Sequence, residues 1–225
     1  MQFGINISVA ARSSRLSRAQ VDEVLREINV FFPAVRFTPF WTETKGDRDL
    51  TTSLRLLEKT DFFTREVDAM LLERLCRIAI HSAKDLPEPL QDGLTLIALT
   101  RGVDASDALV FRTGETLNEL PPNPRVGVSC ARREEAVKNL LPQAHCADIR
   151  GAIDRRLEQL DDGQFDAIVV AEAALIRLNL THLSRVRLDA PTAPLQGKLA
   201  VVARAEDGEM QELFRCIDDH PLSRV

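Results

Sequence analysis

Short apolar segments alternate along the chain with longer segments in which an apolar residue recurs every three or four positions. The first type predicts strands at Ile5 to Ala10, Val35 to Trp41, Ile78 to Ser82, Leu94 to Leu99, Val126 to Ser129, Phe165 to Ala171 and Leu199 to Ala203. The second type predicts helices at Leu16 to Ile28, at Val67 to Leu71 after a capping Thr64, at Ala131 to Leu141, and at Ile153 to Leu160 before Gly163. Because strands and helices alternate, we expect an α/β protein with two lobes of mixed, mainly parallel sheet flanked by helices.

Two turn-rich regions, at 101–106 and 189–194, divide the chain. The strand predicted at Leu199 to Ala203 would have no partner unless it returned to the first lobe. We therefore predict a discontinuous domain 1 at 1–100 plus 195–225, and a domain 2 at 101–194. Ligands of open α/β sheets bind outside the carboxyl ends of strands, so the cleft between the lobes is the predicted site.

The composition is that of a globular protein, with 44% hydrophobic residues, 28% charged residues and a formal net charge of −5. A dispersed basic content under a negative net charge argues against a nucleic-acid partner. We find neither a signal peptide nor an apolar run of membrane-spanning length, and the four cysteines are widely spaced, so we expect a cytoplasmic protein. The four histidines lack zinc-ligand spacing, and neither common glycine-rich phosphate loop is present; we predict no metal site.

Basic residues recur just after the apolar segments of this acidic chain. They include Arg12, Lys84, Arg132, Arg133, Arg150, Arg155, Arg156 and Arg177. Such a set favours a small polyanionic ligand, because guanidinium groups bind carboxylates bidentately. Asp85, next to Lys84, is the acidic residue that accompanies this basic set, and it is a candidate catalytic residue.

Each of these residues also has a structural interpretation. Lys84 and Asp85 could form a solvated loop pair. Arg132 and Arg133 lie in the first turn of a predicted helix, where the helix dipole is positive and disfavours cations. Their presence there indicates an anion nearby. Ion pairs within a helix account for Arg155 or Arg156 equally well, so only one of the two need contact a ligand.

Several segments resemble porphobilinogen deaminase, also called hydroxymethylbilane synthase, in order and spacing along nearly the whole chain. They are ARSSRLSRAQ (11–20), FTREVDAMLL (63–72), IHSAKDLP (80–87), VGVSCARRE (126–134), DIRGAIDRRLEQLDDGQFDAIVVA (148–171), LIRLNL (175–180) and LQGKLAVVARAEDGE (195–209). The resemblance implies a fold like that of type II periplasmic binding proteins. It also implies a transferase of haem and tetrapyrrole biosynthesis, which condenses four porphobilinogen units into hydroxymethylbilane and releases ammonia.

The family's site residues carry over by position. Asp85 matches the catalytic carboxylate, which acts as acid toward the departing amino group and stabilises the cationic intermediates. Lys59 matches a lysine of the mobile loop. The positions that hold the acetate and propionate arms of substrate and cofactor match Arg12, Ser14, Lys84, Ser129, Arg132, Arg133, Arg150, Arg156 and Arg177.

The chain also departs from the family pattern. Family members carry a third, C-terminal domain with a cysteine that anchors a dipyrromethane cofactor, and we expect that domain to be absent here. Cys130 stands in place of a family serine and is the one alternative anchor to consider, although burial without covalent chemistry is commoner. Two hypotheses stay open: a minimal deaminase that binds porphobilinogen and oligopyrroles, with or without dipyrromethane, and a cofactor-free relative that binds porphobilinogen or another polycarboxylate without turnover. A truncated copy with neither role is a third.

Overall fold

A computed structural model of the chain describes residues 4–53 and 60–219. The strands are β1 (Asn6–Arg12), β2 (Arg36–Thr42), β3 (Ile78–Ser82), β4 (Leu94–Leu99), β5 (Asp107–Phe111), β6 (Arg125–Val128), β7 (His145–Asp148), β8 (Ala167–Ala171), β9 (Arg185–Arg187) and β10 (Leu199–Arg204). The helices are α1 (Arg15–Phe31), α2 (Lys45–Arg48), α3 (Arg65–Leu72), α4 (Ala131–Leu140), α5 (Ile153–Asp161), α6 (Glu172–Arg177) and α7 (Gly208–Phe214).

The described residues form two compact units. Unit 1 comprises 4–48, 60–103 and 198–219, and unit 2 comprises 49–53 and 104–197. The domain bounds predicted from the sequence, and the predicted absence of a third domain, stay predictions.

Unit 1 is built on a five-stranded sheet in the order β2-β1-β3-β10-β4. Strand β1 runs parallel to β2 and β3, whereas β10 runs antiparallel to β3 and β4. Alternate residues of β10 point to opposite faces. Val201 packs in the core that contains Val24 of α1 and Phe214 of α7, and Val202 packs in the core that contains Leu71 of α3. Helices therefore cover both faces of the sheet.

Unit 2 has a second five-stranded sheet in the order β7-β6-β8-β5-β9. Strand β6 is parallel to β7 and β8, and β5 is antiparallel to β8 and β9. In β5, Leu109 packs in a core that contains Val137 of α4, whereas Val110 packs with Leu160 of α5 and Leu175 of α6. The mixed sheets flanked by helices confirm the predicted fold class, with parallel and antiparallel pairings in equal number.

Some elements depart from the sequence-based expectations. Strands β5, β7 and β9 and helices α6 and α7 were not predicted, and β5 lies inside the second sheet. Thr64 precedes α3, but its side chain makes no capping hydrogen bond. Cys216 lies at helical spacing from the apolar Leu213, which favours a core position, but it is exposed, and its thiol donates to the carbonyl of Leu213.

Candidate functional site

In unit 1, strand β3 delivers Asp85 to a small pocket. The strand is followed by a 3-10 turn, Ala83–Asp85, which leaves the Asp85 side chain half-buried and Lys84 exposed. The pocket is lined by Arg12, Ser17, Gln20, Phe63, Ile80, His81, Ser82 and Asp85. Two predicted site residues, Arg12 and Asp85, are thus brought together, while Ser14 and Lys84 are not among the lining residues.

Arg12 reaches this pocket from the end of β1 and is held firmly. Its Nε donates to Oδ2 of Asp47 at 3.1 Å, and its Nη2 donates to Oδ1 of the same carboxylate. The guanidinium also stacks on the ring of Phe63, with Cζ 4.7 Å from the ring centroid. Burial raises the pKa of Asp47, but the hydrogen bonds and charge of Arg12 outweigh burial and hold that pKa below its usual value. Nη1 has no hydrogen-bond partner among the described residues, so it can donate to a ligand carboxylate.

Ser14 has a defined structural role at the start of α1. Its backbone is extended, and its side chain accepts a hydrogen bond from the backbone N–H of Ser17 at 3.2 Å. Ser14 is therefore the N-cap of α1. Gln20, one turn further along the helix, donates to Oγ of Ser82 at 2.9 Å and so connects α1 to the end of β3.

The pocket also contains His81, an ionisable side chain that sequence spacing did not reveal. Nε2 of His81 lies 3.0 Å from Oδ1 of Asp68, and both side chains are almost completely buried. The two atoms are close without the alignment of a hydrogen bond, and neither has another partner among the described residues. Asp68 lies on α3 and His81 on β3, so only the fold brings them together.

In unit 2, the β6–α4 turn and the first turn of α4 together carry four of the predicted residues. Cys130 is the N-cap residue of α4 but makes no side-chain capping bond, and it is half-buried. Nη1 of Arg132 donates to Oδ2 of Asp107 at 2.7 Å, and Nη2 of Arg133 donates to Oδ1 of Asp107 at 2.6 Å. Nη1 of Arg133 also donates to Oγ of Ser129 at 3.0 Å. Two arginines at the positive end of a helix indicated an anion nearby. The carboxylate of Asp107 is such an anion, and it belongs to the protein itself.

The other predicted arginines of unit 2 donate to backbone carbonyls. Arg150 contacts the carbonyl of Asp49 at 2.5 Å, and Arg156 contacts that of Gly151 at 2.8 Å. Arg177, the last residue of α6, donates to the carbonyl of Gly197 at 2.8 Å. Each carbonyl contact fixes the direction of a guanidinium group.

Gly197 occupies a position that favours glycine. Its φ is +88°, and a Cβ there would lie 2.7 Å from the carbonyl oxygen of Asp104. The glycine thus keeps its carbonyl aimed at Arg177. Gln196, just before it, donates to Oδ1 of Asp107 at 3.0 Å, so one short segment contacts both Arg177 and the carboxylate that pairs with Arg132 and Arg133.

Neighbouring Arg155 and Arg156 separate into two roles. Arg155 is mostly exposed and pairs with Glu158 at 3.0 Å, one turn along α5. Arg156 is half-buried and makes the carbonyl contact described above. That only one of the two need contact a ligand stays a prediction. Lys59, predicted in a mobile loop, lies outside the described residues.

The comparisons with known proteins bear on the whole of this chain. The family model described as porphobilinogen deaminase, dipyromethane cofactor binding domain, matches residues 7–212. The chain belongs to the porphobilinogen deaminase family. A probable porphobilinogen deaminase of Chlamydia pneumoniae is 42% identical over 214 residues, which cover 95% of this chain and 91% of that protein. The porphobilinogen deaminase of Brevibacillus brevis is 35% identical over 217 residues, covering 95% of this chain and 70% of that protein.

Solved structures support the fold. The methionine-binding protein MetQ superposes with a TM-score of 0.56 at 13% identity, covering 93% of this chain and 88% of that one. An ancestral cationic amino acid solute-binding protein gives a TM-score of 0.52 at 14% identity, covering 94% and 86%. The chain thus has the fold of type II periplasmic binding proteins. Within residues 4–53 and 60–219, none of its helices has the length and apolar composition that crossing a bilayer requires.

Proposed function

We propose that this protein is a hydroxymethylbilane synthase that condenses porphobilinogen head to tail, with Asp85 as its catalytic carboxylate. The observation that carries the proposal is the pocket at the end of β3, where Asp85 and the firmly held Arg12 line one cavity in a chain of this family. The placement of a lone carboxylate beside an arginine suits a substrate that is cationic at one end and anionic at the other.

The reaction has a place for such a carboxylate. In each condensation the C–N bond of the aminomethyl group breaks and ammonia leaves. A new C–C bond joins the methylene carbon to the free α-carbon of the next pyrrole, and that carbon then loses its proton. Positive charge develops on the pyrrole as ammonia departs. Asp85 gives a proton to the leaving amine, stabilises the developing charge as a carboxylate, and takes up the proton that the α-carbon loses; stabilising that charge is the differential stabilisation that accelerates a step.

The basic residues of each unit account for the acetate and propionate arms of porphobilinogen. In unit 1, Nη1 of Arg12 is available while Asp47 and Phe63 hold the rest of the group. In unit 2, Arg132, Arg156 and Arg177 are all half-buried and directed by contacts within the protein. Guanidinium groups fixed in this way lose less entropy when they bind a carboxylate.

The dipyrromethane named by the family model fits the same donor set, because its pyrroles also carry carboxylate arms. The donors for such arms are Arg12, Ser14 and Lys84 within unit 1, and Ser129, Arg132, Arg133, Arg150, Arg156 and Arg177 within unit 2. When bound, the group supplies the chain end to which porphobilinogen is added. Cys130 stays the candidate for covalent attachment, and intact masses of the wild type and of Cys130→Ser, measured after denaturation, test that attachment separately.

The test of the proposed function is ammonia release from porphobilinogen by the purified full chain, with the linear tetrapyrrole followed by its absorbance. We expect the wild type to be active and Asp85→Asn to be inactive. Asp92→Asn is the matched control, because Asp92 is an exposed turn residue of the same unit and should retain full activity. A wild type that binds porphobilinogen but releases no ammonia would establish instead the non-catalytic binding protein.

A further inference from the structure

Asp107 is a buried carboxylate on which several side chains of unit 2 converge. It is the first residue of β5, and only 3% of its side chain is exposed. Oδ2 accepts a hydrogen bond from Nη1 of Arg132 at 2.7 Å. Oδ1 accepts from Nε and Nη2 of Arg133, at 3.1 and 2.6 Å, and from Nε2 of Gln196 at 3.0 Å. Four hydrogen bonds, three to Oδ1 and one to Oδ2, therefore hold this carboxylate inside the protein.

The position of Asp107 resolves an unfavourable feature of α4. Arg132 and Arg133 lie in the first turn of that helix, where the helix dipole is positive and cations are disfavoured. The single carboxylate of Asp107 between the two arginines offsets the unfavourable interaction of their charges with the helix dipole. It also neutralises one of their two positive charges. Burial raises the pKa of Asp107, but the charges and hydrogen bonds of Arg133 and Arg132 outweigh burial and keep it below its usual value. The cluster therefore keeps one net positive charge.

The two arginines are unequal in exposure. The side chain of Arg133 is 6% exposed and that of Arg132 is 26% exposed. Arg133 has further acceptors in Oγ of Ser129 and, at 3.4 Å, the carbonyl of Val169, whereas Arg132 has the carbonyl of Pro191. Arg132 is thus the member of the cluster that presents its guanidinium most openly.

Resting on the proposed function, we propose that Asp107 is a positioning residue: its carboxylate aims Arg132 and Arg133 at the carboxylate arms of porphobilinogen. Asp107 itself contacts no ligand and acts through the two arginines. The family positions carried over from the sequence do not include it.

Whether KM rises or falls in Asp107→Asn distinguishes positioning of the arginines from a simple effect of charge on binding. Removing the negative charge in Asp107→Asn leaves two adjacent guanidinium groups uncompensated. If Asp107 only reduced the positive potential, the variant would attract anionic porphobilinogen more strongly, and KM would fall. If Asp107 positions the arginines, their mutual repulsion displaces them and KM rises. We expect a rise of about tenfold, with kcat changed by about twofold or less, since Asp85 is untouched.

The experiment measures kcat, KM and thermal unfolding for the wild type, Asp107→Asn and Asp107→Glu. The glutamate variant keeps the charge one methylene further away, and we expect it to raise KM by less than the asparagine variant. Should Asp107→Asn fail to fold, the glutamate variant decides alone: a raised KM supports positioning, and an unchanged KM overturns it.

Glu172→Gln is the matched control. Glu172 is another mostly buried carboxylate of unit 2, and it accepts from Nε of Arg185 at 2.9 Å and from Nη2 at 2.7 Å. We expect this variant to lose stability while keeping its KM. A similar rise in KM in both variants, or an unchanged or lower KM in Asp107→Asn, would overturn the proposal.

Calorimetric titration with porphobilinogen makes the outcome independent of turnover. If the wild type binds porphobilinogen but releases no ammonia, the proposed function fails while the role of Asp107 is still decided by Kd. A rise in Kd for Asp107→Asn by the same factor supports positioning, and a Kd equal to or below that of the wild type overturns it.

Discussion

Ser14 offers a test that separates a structural from a ligand-binding role at one position. Its hydroxyl caps α1 through the backbone N–H of Ser17, and the family pattern also places it among the contacts to ligand carboxylates. Replacing Ser14 with alanine leaves that N–H without its acceptor, at a cost of about 1 kcal/mol in the free energy of unfolding. For a protein of this length, we expect Tm to fall by about 2–4 °C.

Ser14→Asp has the opposite combination of effects. An aspartate is as good an N-cap as serine, and its charge is favourable at the positive end of α1, so Tm should stay at or above that of the wild type. The same charge would repel the carboxylate arms of porphobilinogen. We expect KM to rise by about tenfold, which corresponds to about 1.4 kcal/mol.

The measurements are thermal unfolding and the KM of ammonia release on the two variants and on Ser13→Ala. Ser13 is the control because its hydrogen bonds in the described structure come from its backbone, to Thr42 and from Arg18. The reasoning about capping is refuted if Ser14→Asp unfolds as early as Ser14→Ala. The ligand-binding role is refuted if Ser14→Asp keeps the wild-type KM.

Three further predictions concern Arg156, Asp207 and Cys76. Arg156→Ala should raise the KM for porphobilinogen severalfold in ammonia-release assays, whereas Arg155→Ala, which loses only an exposed ion pair, should leave it unchanged. Burial raises the pKa of Asp207, but the hydrogen bonds from Arg77 and from the backbone outweigh burial and hold that pKa below 3.8. The contribution of Asp207 to stability is therefore complete above pH 3.8 and is lost as the pH falls through the lower pKa of the folded state. Denaturant unfolding should accordingly show a stability difference between the wild type and Asp207→Asn that is constant near pH 6 and narrows as the pH falls below 3.8. Burial raises the pKa of the Cys76 thiol to about 11, so mass spectrometry after thiol labelling at pH 8 should find it unmodified until the protein unfolds.

The sequence predicted the parts of the fold that depend on local hydrophobic periodicity. Strand β4 begins and ends at the predicted residues, and the strand predicted at Leu199 to Ala203 pairs with β3 and β4 in the first sheet. That strand is fully apolar over five residues and buried on both faces, which makes its pattern easy to recognise. Segments with both properties carry strong signals even in a single sequence.

The sequence did not predict β5, although that strand lies inside the second sheet, between β8 and β9. It is five residues long, it begins with a charged residue, Asp107, and it follows a turn-rich segment. Missing β5 also concealed the ion cluster of α4, because the partner of Arg132 and Arg133 comes from that strand. The pair of Asp68 and His81 was missed although the helix and the strand that carry them were predicted, since long-range contacts have no fixed spacing along a chain.

The central claim is that the carboxylate of Asp85 drives the loss of ammonia from porphobilinogen. It is tested most directly by rapid-quench measurement of ammonia release in a single turnover, with porphobilinogen binding measured in parallel on the same preparations. The account predicts that Asp85→Asn binds porphobilinogen with a Kd close to that of the wild type but releases ammonia slower by a factor on the order of 10²–10³. Ammonia release by Asp85→Asn at the wild-type rate would contradict it.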